Sequence, residues 1–329
     1  MQEIAQIKMP RLTEKRPIFD HFPQVNVDAP LLIWEQLDNY FGLQQVRGYD
    51  GQPPKVLPTG LKQYQMQPGV YGEWAPITEE EMTVRRSPGT FANPIDITEC
   101  VMERQDKLLG RRLDRIEYIL WQLLTYGTFS VSNANGTVQH TDTFPIQTFT
   151  STVSWSNATS STPLNDFRQV QLLGRGQSVD FGRAAIAYMT RATFNQMVAN
   201  ANAVDLYGKR TAGLGTFNSL EAINQLIAGE DLPTIYIYDQ TYPTDAVGGY
   251  SLFIPDGYVI VVGQRPAGQP VGEYRFTRCT ANPNAAPGSY MRVIDKGEFE
   301  IPRTIQVHDG HNGGPVIFYP GAVVTMNVG

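Results

Sequence analysis

Cysteine is nearly missing: Cys100 and Cys279 are the only two in 329 residues. Two thiols are too few for a disulfide framework or a cysteine-based metal site, so both are expected as buried free thiols. Histidine is almost as scarce, with His21, His140, His308 and His311. His308 and His311 flank Asp309 in VHDGHNGG, but a metal needs three or four converging ligands and no further partner is evident. The expected form of that stretch is a polar turn. No run approaches the roughly 18 to 20 apolar residues of a membrane span. The opening MQEIAQIKMPRLTEKRP lacks the apolar stretch of a secretory leader, so the expected setting is a cytoplasm, with no membrane. Charged residues are only 18% of the chain, 26 Lys and Arg against 32 Asp and Glu, for a net charge of −6. The cations are spread out, and only Lys8 to Arg16 leans basic. Gripping phosphate backbones needs a concentrated basic face, which this chain lacks.

Catalytic devices are missing too. Gly174-Arg175-Gly176 is not followed by the Gly-Lys-Ser/Thr of a phosphate loop. No Ser or Cys stands in a nucleophile motif. Acid pairs such as Asp205 and Asp239 occur as in any protein, and the sequence does not set the distance between them. No enzyme activity, cofactor or metal is expected.

Proline and glycine, by contrast, are plentiful. Residues 1–42 open with a Pro-punctuated arm (Pro10, Pro17, Pro23, Pro30) dotted with apolar side chains such as Ile18, Phe19 and Phe22. Such an arm has little to fold around by itself. Within it, LLIWEQLDNYF (residues 31–41) reads as a short helix, with Leu31, Trp34, Leu37 and Phe41 along one stripe. Residues 43–86 hold five prolines and five glycines between Gly48 and Pro76, which forbid a long helix. LQQVRGY and GVYGEWAPI read as two strand-like arms around a Pro/Gly tip, a long β-hairpin reaching out from the body. TEEEMTVRR follows.

Residues 94–127 carry the clearest helical signal. Asp96 and Glu99 make a capping pattern, Gly127 ends it, and Ile97, Val101, Leu108, Ile116, Ile119, Leu120 and Leu123 trace one face. A helix over 97–126 spans roughly 45 Å at about 1.5 Å per residue. Gly110 near its middle is the expected bending point. Residues 128–162 then turn polar: 19 of the 35 are Ser, Thr or Asn. Asn135-Gly136 signals a hairpin, and Val153 and Trp155 alternate like a half-buried strand. Beyond Thr162, short helices are expected at TPLNDFRQVQLLG, RATFNQMVANA (capped by Thr190) and NSLEAINQLIAG. Strands are expected at RAAIAYM, TIYIYD, GYSLFI, GYVIVVG, SYMRVID, RTIQVHD, PVIFY and AVVTMNV.

The order of these elements resembles the lambda-type branch of tailed-phage major capsid proteins, the major capsid protein E family, from about Phe19 to the C-terminus. FDHFPQVNVDAPLLIWEQ resembles its N-terminal arm, residues 43–86 its E-loop, and Pro94 to Gly127 its spine helix. VSWSNATSSTPLNDF resembles its Trp-Ser segment through Trp155, Ser156, Pro163 and Asp166. AAIAYMTRATFNQMVAN resembles the entry to its axial domain. The resemblance implies an α+β chain with the HK97-like capsid fold. It divides into N-terminal arm (1–42), E-loop (43–86), peripheral domain with spine helix (87–177), axial domain (178–288) and return to the peripheral domain (289–329). It also implies self-assembly into hexamers and pentamers of an icosahedral head around double-stranded DNA. The further partners would be a scaffolding protein, a portal and a decoration protein. An acidic wall suits that role, because like charge keeps the polymer from sticking. Trp74 with Glu79, Glu80, Glu81, Arg85 and Arg86, at the base of a coreless loop, is the expected intersubunit contact. Lys55 and Lys62 lie in the loop that some such shells cross-link, though nothing marks an acceptor Asn. An encapsulin-like nanocompartment shell and a β-rich tail or glycan-binding protein stand as alternatives.

Overall fold

The computed structural model describes residues 16–37, 43–47, 49–53, 55, 61–84, 97–132, 137–177, 179–200, 220–244, 249–265, 269–297 and 302–329. The first half forms α1 (Ile18–His21), β1 (Gln24–Asn26), β2 (Leu32–Leu37), β3 (Leu61–Met66), β4 (Gly69–Ile77), α2 (Glu79–Val84), α3 (Ile97–Tyr126), β5 (Thr128–Ser132), β6 (Val138–Thr143) and β7 (Gln147–Thr150). The second half forms α4 (Pro163–Leu173), β8 (Ile186–Met189), α5 (Arg191–Val198), α6 (Leu220–Ala228), β9 (Thr234–Ile237), β10 (Thr241–Pro243) and β11 (Tyr250–Leu252). It closes with β12 (Tyr258–Val262), β13 (Gly272–Phe276), β14 (Ser289–Asp295), β15 (Ile305–Ile317) and β16 (Val323–Asn327).

Two five-stranded sheets carry the chain. In the first, β13 and β14 pair in succession with one edge of β15, β1 lies beyond β13, and β4 pairs with the other edge of β15. The second runs β7-β16-β12-β8-β9. Helix α3 covers the first sheet, and its apolar stripe divides into two stations. Cys100 and Leu108 pack with Ile77, Met82, Ile305 and Val307. Farther along, Ile116, Ile119, Leu120, Trp121, Leu123 and Leu124 enter a core that reaches Phe22, Tyr274 and Val316 on one side and Ile260 and Val262 on the other. Burying side chains of this size contributes about 1.5–3 kcal/mol each, which explains why a helix with ten charged residues stays folded here. It ends at Gly127, whose φ of +67° is the left-handed conformation glycine adopts without strain, and whose N–H donates to Leu123 O at 2.8 Å. A second core joins Trp155 and helices α4, α5 and α6 to β8, β12 and β16.

Several expectations change. Residues 32–37 are a strand, not part of a helix: Leu32 and Trp34 are buried while Ile33 and Glu35 are exposed. The true period is two, and the helical stripe was a coincidence of a short apolar run. The outstretched hairpin is accordingly β2 with β3, paired Leu32↔Met66 through Leu37↔Leu61. Residues 43–47 form no strand, and GVYGEWAPI, as β4, belongs to the body through β15. The hairpin at 128–143 forms as β5 with β6, while its Asn135-Gly136 tip lies outside the described residues. Asp96 lies outside them too. No strand forms at Val153–Trp155; Trp155 is buried in a turn, its N–H donating to Val328 O at 2.8 Å. Thr190 caps α5 by accepting from the Thr193 N–H, whereas the Thr162 side chain makes no such bond to α4. Both cysteines are buried free thiols.

The largest change concerns RTIQVHD and PVIFY, which join with the expected polar turn between them into one 13-residue strand, β15. Its glycines serve close approach instead of turning. A Cβ on Gly310 would stand 2.5 Å from Tyr71 O, one on Gly313 2.5 Å from Arg275 O, and one on Gly314 2.9 Å from Leu32 Cδ1. Gly110 is the opposite case, since a Cβ there meets nothing within 4 Å and α3 runs through it unbroken. Urea unfolding should separate the two: Gly310→Ala loses about 1–3 kcal/mol to overpacking. Gly110→Ala gains up to about 1 kcal/mol of monomer stability from helix propensity alone.

Candidate assembly surface

Alternation along β4, β15 and β14 gives their shared sheet two chemically different faces. Glu73, Ala75 and Ile77 of β4 and Ile305, Val307 and Asp309 of β15 turn toward α3. There Arg111 grips Glu73 with two nitrogens, and Arg112 Nη1 donates to Asp309 Oδ1 at 2.5 Å. Burial pushes the Asp309 carboxyl up, and Arg112 only partly offsets it. The remaining residues point away from α3. Cross-strand registers set them in rows: Trp74–His308–Arg292, Gly72–Gly310–Tyr290 and Pro76–Gln306–Ile294. Trp74 is 53% exposed and stacks on the His308 ring, centroids 6.1 Å apart and planes 22° apart. The Tyr290 hydroxyl lies within 2.9 Å of where Gly72 and Gly310 would carry a Cβ, so its ring extends across two side-chain-free positions.

Trp74, expected as an intersubunit contact, is exposed on the face of the sheet that points away from α3. Glu79 and Glu80 are exposed in the first turn of α2, while Glu81 is drawn back to the body by Arg104 Nη2 at 2.5 Å. Arg85 and Arg86 lie outside the described residues, so the expected charge cluster is brought together only in part. Lys55 and Lys62 are exposed. His308 and His311 sit on opposite faces of β15, and the described residues contain no group of three or more His, Cys, Asp or Glu placed to hold a metal. Asp239 accepts from the Arg191 N–H at 2.6 Å, and Asp205 lies outside the described residues. Tyr290, Arg292 and Ile294 were missed. Their strand was legible, but its register against β4 through β15 was not.

A second feature beyond sequence reasoning ties three segments together. Glu117 of α3 is buried, and both of its oxygens are used. Arg16 donates to Glu117 Oε2 and to Asp114 Oδ1, each at 2.7 Å. Glu117 Oε1 accepts from Trp121 Nε1 at 3.2 Å and from the Tyr238 hydroxyl just past β9. Burial raises the Glu117 carboxyl, opposed by the Tyr238 bond and the Arg16 charge.

A long charged helix laid over one sheet, a second sheet with its own helices and a two-stranded ribbon define a shell subunit of the HK97 type. Solved structures agree on that fold. A prophage protein of E. coli CFT073 superposes with a TM-score of 0.56 at 13% identity, over 82% of this chain and 80% of that one. A phage-related protein from Bordetella bronchiseptica RB50 gives 0.55 at 10%, over 96% and 94%. The capsid of Myoviridae phage XM1 gives 0.54 at 10%, over 99% and 96%. No curated protein matches the chain by sequence. The chain belongs to the phage major capsid protein E family, whose model matches residues 17–273.

Two histidines shielded from water, the half-buried His21 and the buried His311, set an acid limit on this fold. Burial first, then the Arg265 charge, lowers His21 to about 4; its Nε2 is 2.8 Å from the Tyr188 hydroxyl. Burial first, then Arg112 and Arg115, lowers His311 to about 3; its Nε2 is 3.0 Å from the Tyr274 hydroxyl. Both fall below the unfolded value near 6.5, so the unfolded chain binds more protons and stability drops as pH falls through that window. Urea unfolding from pH 7 to 4 should show a loss of several kcal/mol, because each histidine withheld from protonation costs about 1.4 kcal/mol for every pH step of one below 6.5. The double variant His21→Gln, His311→Gln should flatten that slope.

Proposed function

We propose that copies of this chain close into the hexamers and pentamers of an icosahedral phage head around double-stranded DNA. The family match over residues 17–273 carries this reading, and the HK97-like architecture agrees with it. The role is structural, not catalytic. Contacts repeated around a closed shell need only a few kcal/mol each, because closure accumulates what a millimolar pair contact cannot supply alone. The head would be built in the host bacterial cytoplasm and end as part of the virion, with a scaffolding protein, a portal and a decoration protein as partners. The encapsulin-like and tail or glycan-binding alternatives gain no comparable support.

The proposed division is arm 1–42, E-loop 43–86, peripheral domain 87–177, axial domain 178–288 and return 289–329. Three strands cross these proposed boundaries. β2 extends the E-loop hairpin back into the arm, β13 joins the sheet under α3, and β16 completes the other sheet. Trp74, Glu79, Glu80, Glu81, Arg85 and Arg86 form the proposed intersubunit contact, and Gly110 lets α3 bend between unequal positions in the shell. A lysine cross-link through Lys55 or Lys62 is not part of the proposal.

Electron microscopy of the chain expressed alone and with its upstream gene is the direct test, and uniform hollow particles are expected. Arg85→Glu with Arg86→Glu should leave the monomer's melting unchanged and abolish the particles. Normal shells from that variant would remove these two arginines from the contact, and a wild-type chain that never assembles would remove the function.

A further inference from the structure

A cavity lies where the β2–β3 ribbon meets the body, and the β5–β6 ribbon supplies it with a side chain that the fold does not explain. Register sets Asp142 opposite Phe129 and His140 opposite Val131. Phe129 and Val131 belong to the main core, together with Leu32, Trp34 and Met66 of the β2–β3 ribbon. Asp142 is thus a carboxylate on the apolar side of its own ribbon, while Ser130 and Thr141 pair on the exposed side. The Asp142 side chain is 35% exposed, yet its Oδ2 is closed off from water and meets no hydrogen-bond donor among the described residues. His140 Nε2 stands 3.6 Å away, beyond hydrogen-bond reach, and it has no partner there either. A shielded carboxylate oxygen without a donor is costly, so a bound donor would be favoured at this point.

The cavity measures about 80 Å³, and Asp142 is the only charged residue lining it among the described residues. Its walls include Trp34, Tyr64, Phe144, Pro145 and Pro320. Trp34 is stacked between Tyr64 and Phe144, with centroids 5.4 and 5.9 Å apart and planes 15° and 13° from parallel. These walls are therefore preformed and rigid. A water needs about 10–15 Å³ of such space, so the cavity suits a ligand of about five or six non-hydrogen atoms. Rings and prolines accept methylene groups, and aromatic rings also attract a cation.

We infer that this cavity binds the end of a linear primary alkylammonium with a stem of about four carbons. Its N–H groups donate to Asp142 Oδ2, and its methylenes lie along the aromatic and proline walls. A neutral alcohol lacks the charge, a carboxylate is repelled by Asp142, and a quaternary ammonium has no N–H for the orphan oxygen. A free aliphatic amine and a protein lysine share this chemistry. Bound there, either one touches β2, β3 and β6 at once and pins to the body a ribbon that is marginal by itself. The site goes beyond the shell reading and does not depend on it.

Titration of the full-length chain with n-butylammonium, followed by saturation-transfer NMR at fixed ionic strength, tests the inference. Saturable binding with a Kd on the order of 1 mM is expected for so small a ligand. 1-Butanol and butyrate should bind at least about tenfold more weakly. Asp142→Asn keeps the shape without the charge and should weaken butylammonium about tenfold, with the urea midpoint showing that the variant is folded. Should that variant not fold, the ranking of the three probes on the wild type decides alone. 1-Butanol binding as tightly as butylammonium, binding undiminished by Asp142→Asn, or no saturable binding of butylammonium overturns the site. Nα-acetyl-lysine methylamide, which carries the same stem on a backbone, separates the two sources. Binding as tight as butylammonium assigns the cavity to a protein lysine, and weaker binding assigns it to a free amine. A chain that never forms shells leaves this result intact, because the titration needs only the folded subunit.

Discussion

The architecture depends on one strand staying unbroken. Over its 13 residues, β15 pairs with β14 and β4 at its start and with β13 at its end. It therefore fixes the distance between the sheet's outer rows and the aromatic core beneath Tyr274. Neighbouring backbones and rings press on it at Gly310, Gly313 and Gly314, where no side chain fits. A turn at these glycines would separate β4 from β13, and the sheet under α3 would become two unrelated ribbons. The surface that holds Trp74 exists because the strand behind it does not bend.

Helix α3 holds that strand in place with charge as much as with apolar contact. Its first half is tied through Arg104, Arg111 and Arg112 to α2, β4 and β15. Asp309 is 4% exposed, so losing Arg112 would leave a buried carboxylate uncompensated, which costs about 3–5 kcal/mol. The exposed Arg111–Glu73 pair contributes far less, at most about 1 kcal/mol. Further along, Glu117 joins the arm through Arg16 and the second sheet through Tyr238. One helix thus sets the arm, both sheets and the base of the ribbon relative to each other.

What the sequence made legible follows the range of each signal. α3 was bounded correctly because its apolar period and terminal glycine both act within one helix. Most short strands of the second half were found for the same reason. The arm's strand β2 was misread because six residues hold too few periods to tell two from 3.6, and its partner β3 lies beyond a 23-residue connection. The glycines of β15 look in sequence like turn formers. Their actual reason, the approach of Tyr71, Arg275 and Leu32, comes from residues 38 to 282 positions away. Trp74 could be named from its place beside a coreless loop, but Tyr290 and Arg292 became its neighbours only through strand register.

The internal ion pairs also bear on how an acidic chain of this kind would meet a phosphate backbone. Among the described residues, eight arginines are committed inside the chain: Arg16, Arg104, Arg111, Arg112, Arg168, Arg275, Arg278 and Arg303. A guanidinium already bonded to a carboxylate releases few counterions from a phosphate backbone, so it adds little to nucleic-acid affinity. The net charge of −6 is therefore not offset by a hidden basic face made of these side chains. Like net charge makes separate copies repel at long range, so short-range contacts have to bring copies together. Among the described residues, Trp74, Val70 and Tyr250 are examples of large apolar side chains exposed for contacts of that kind.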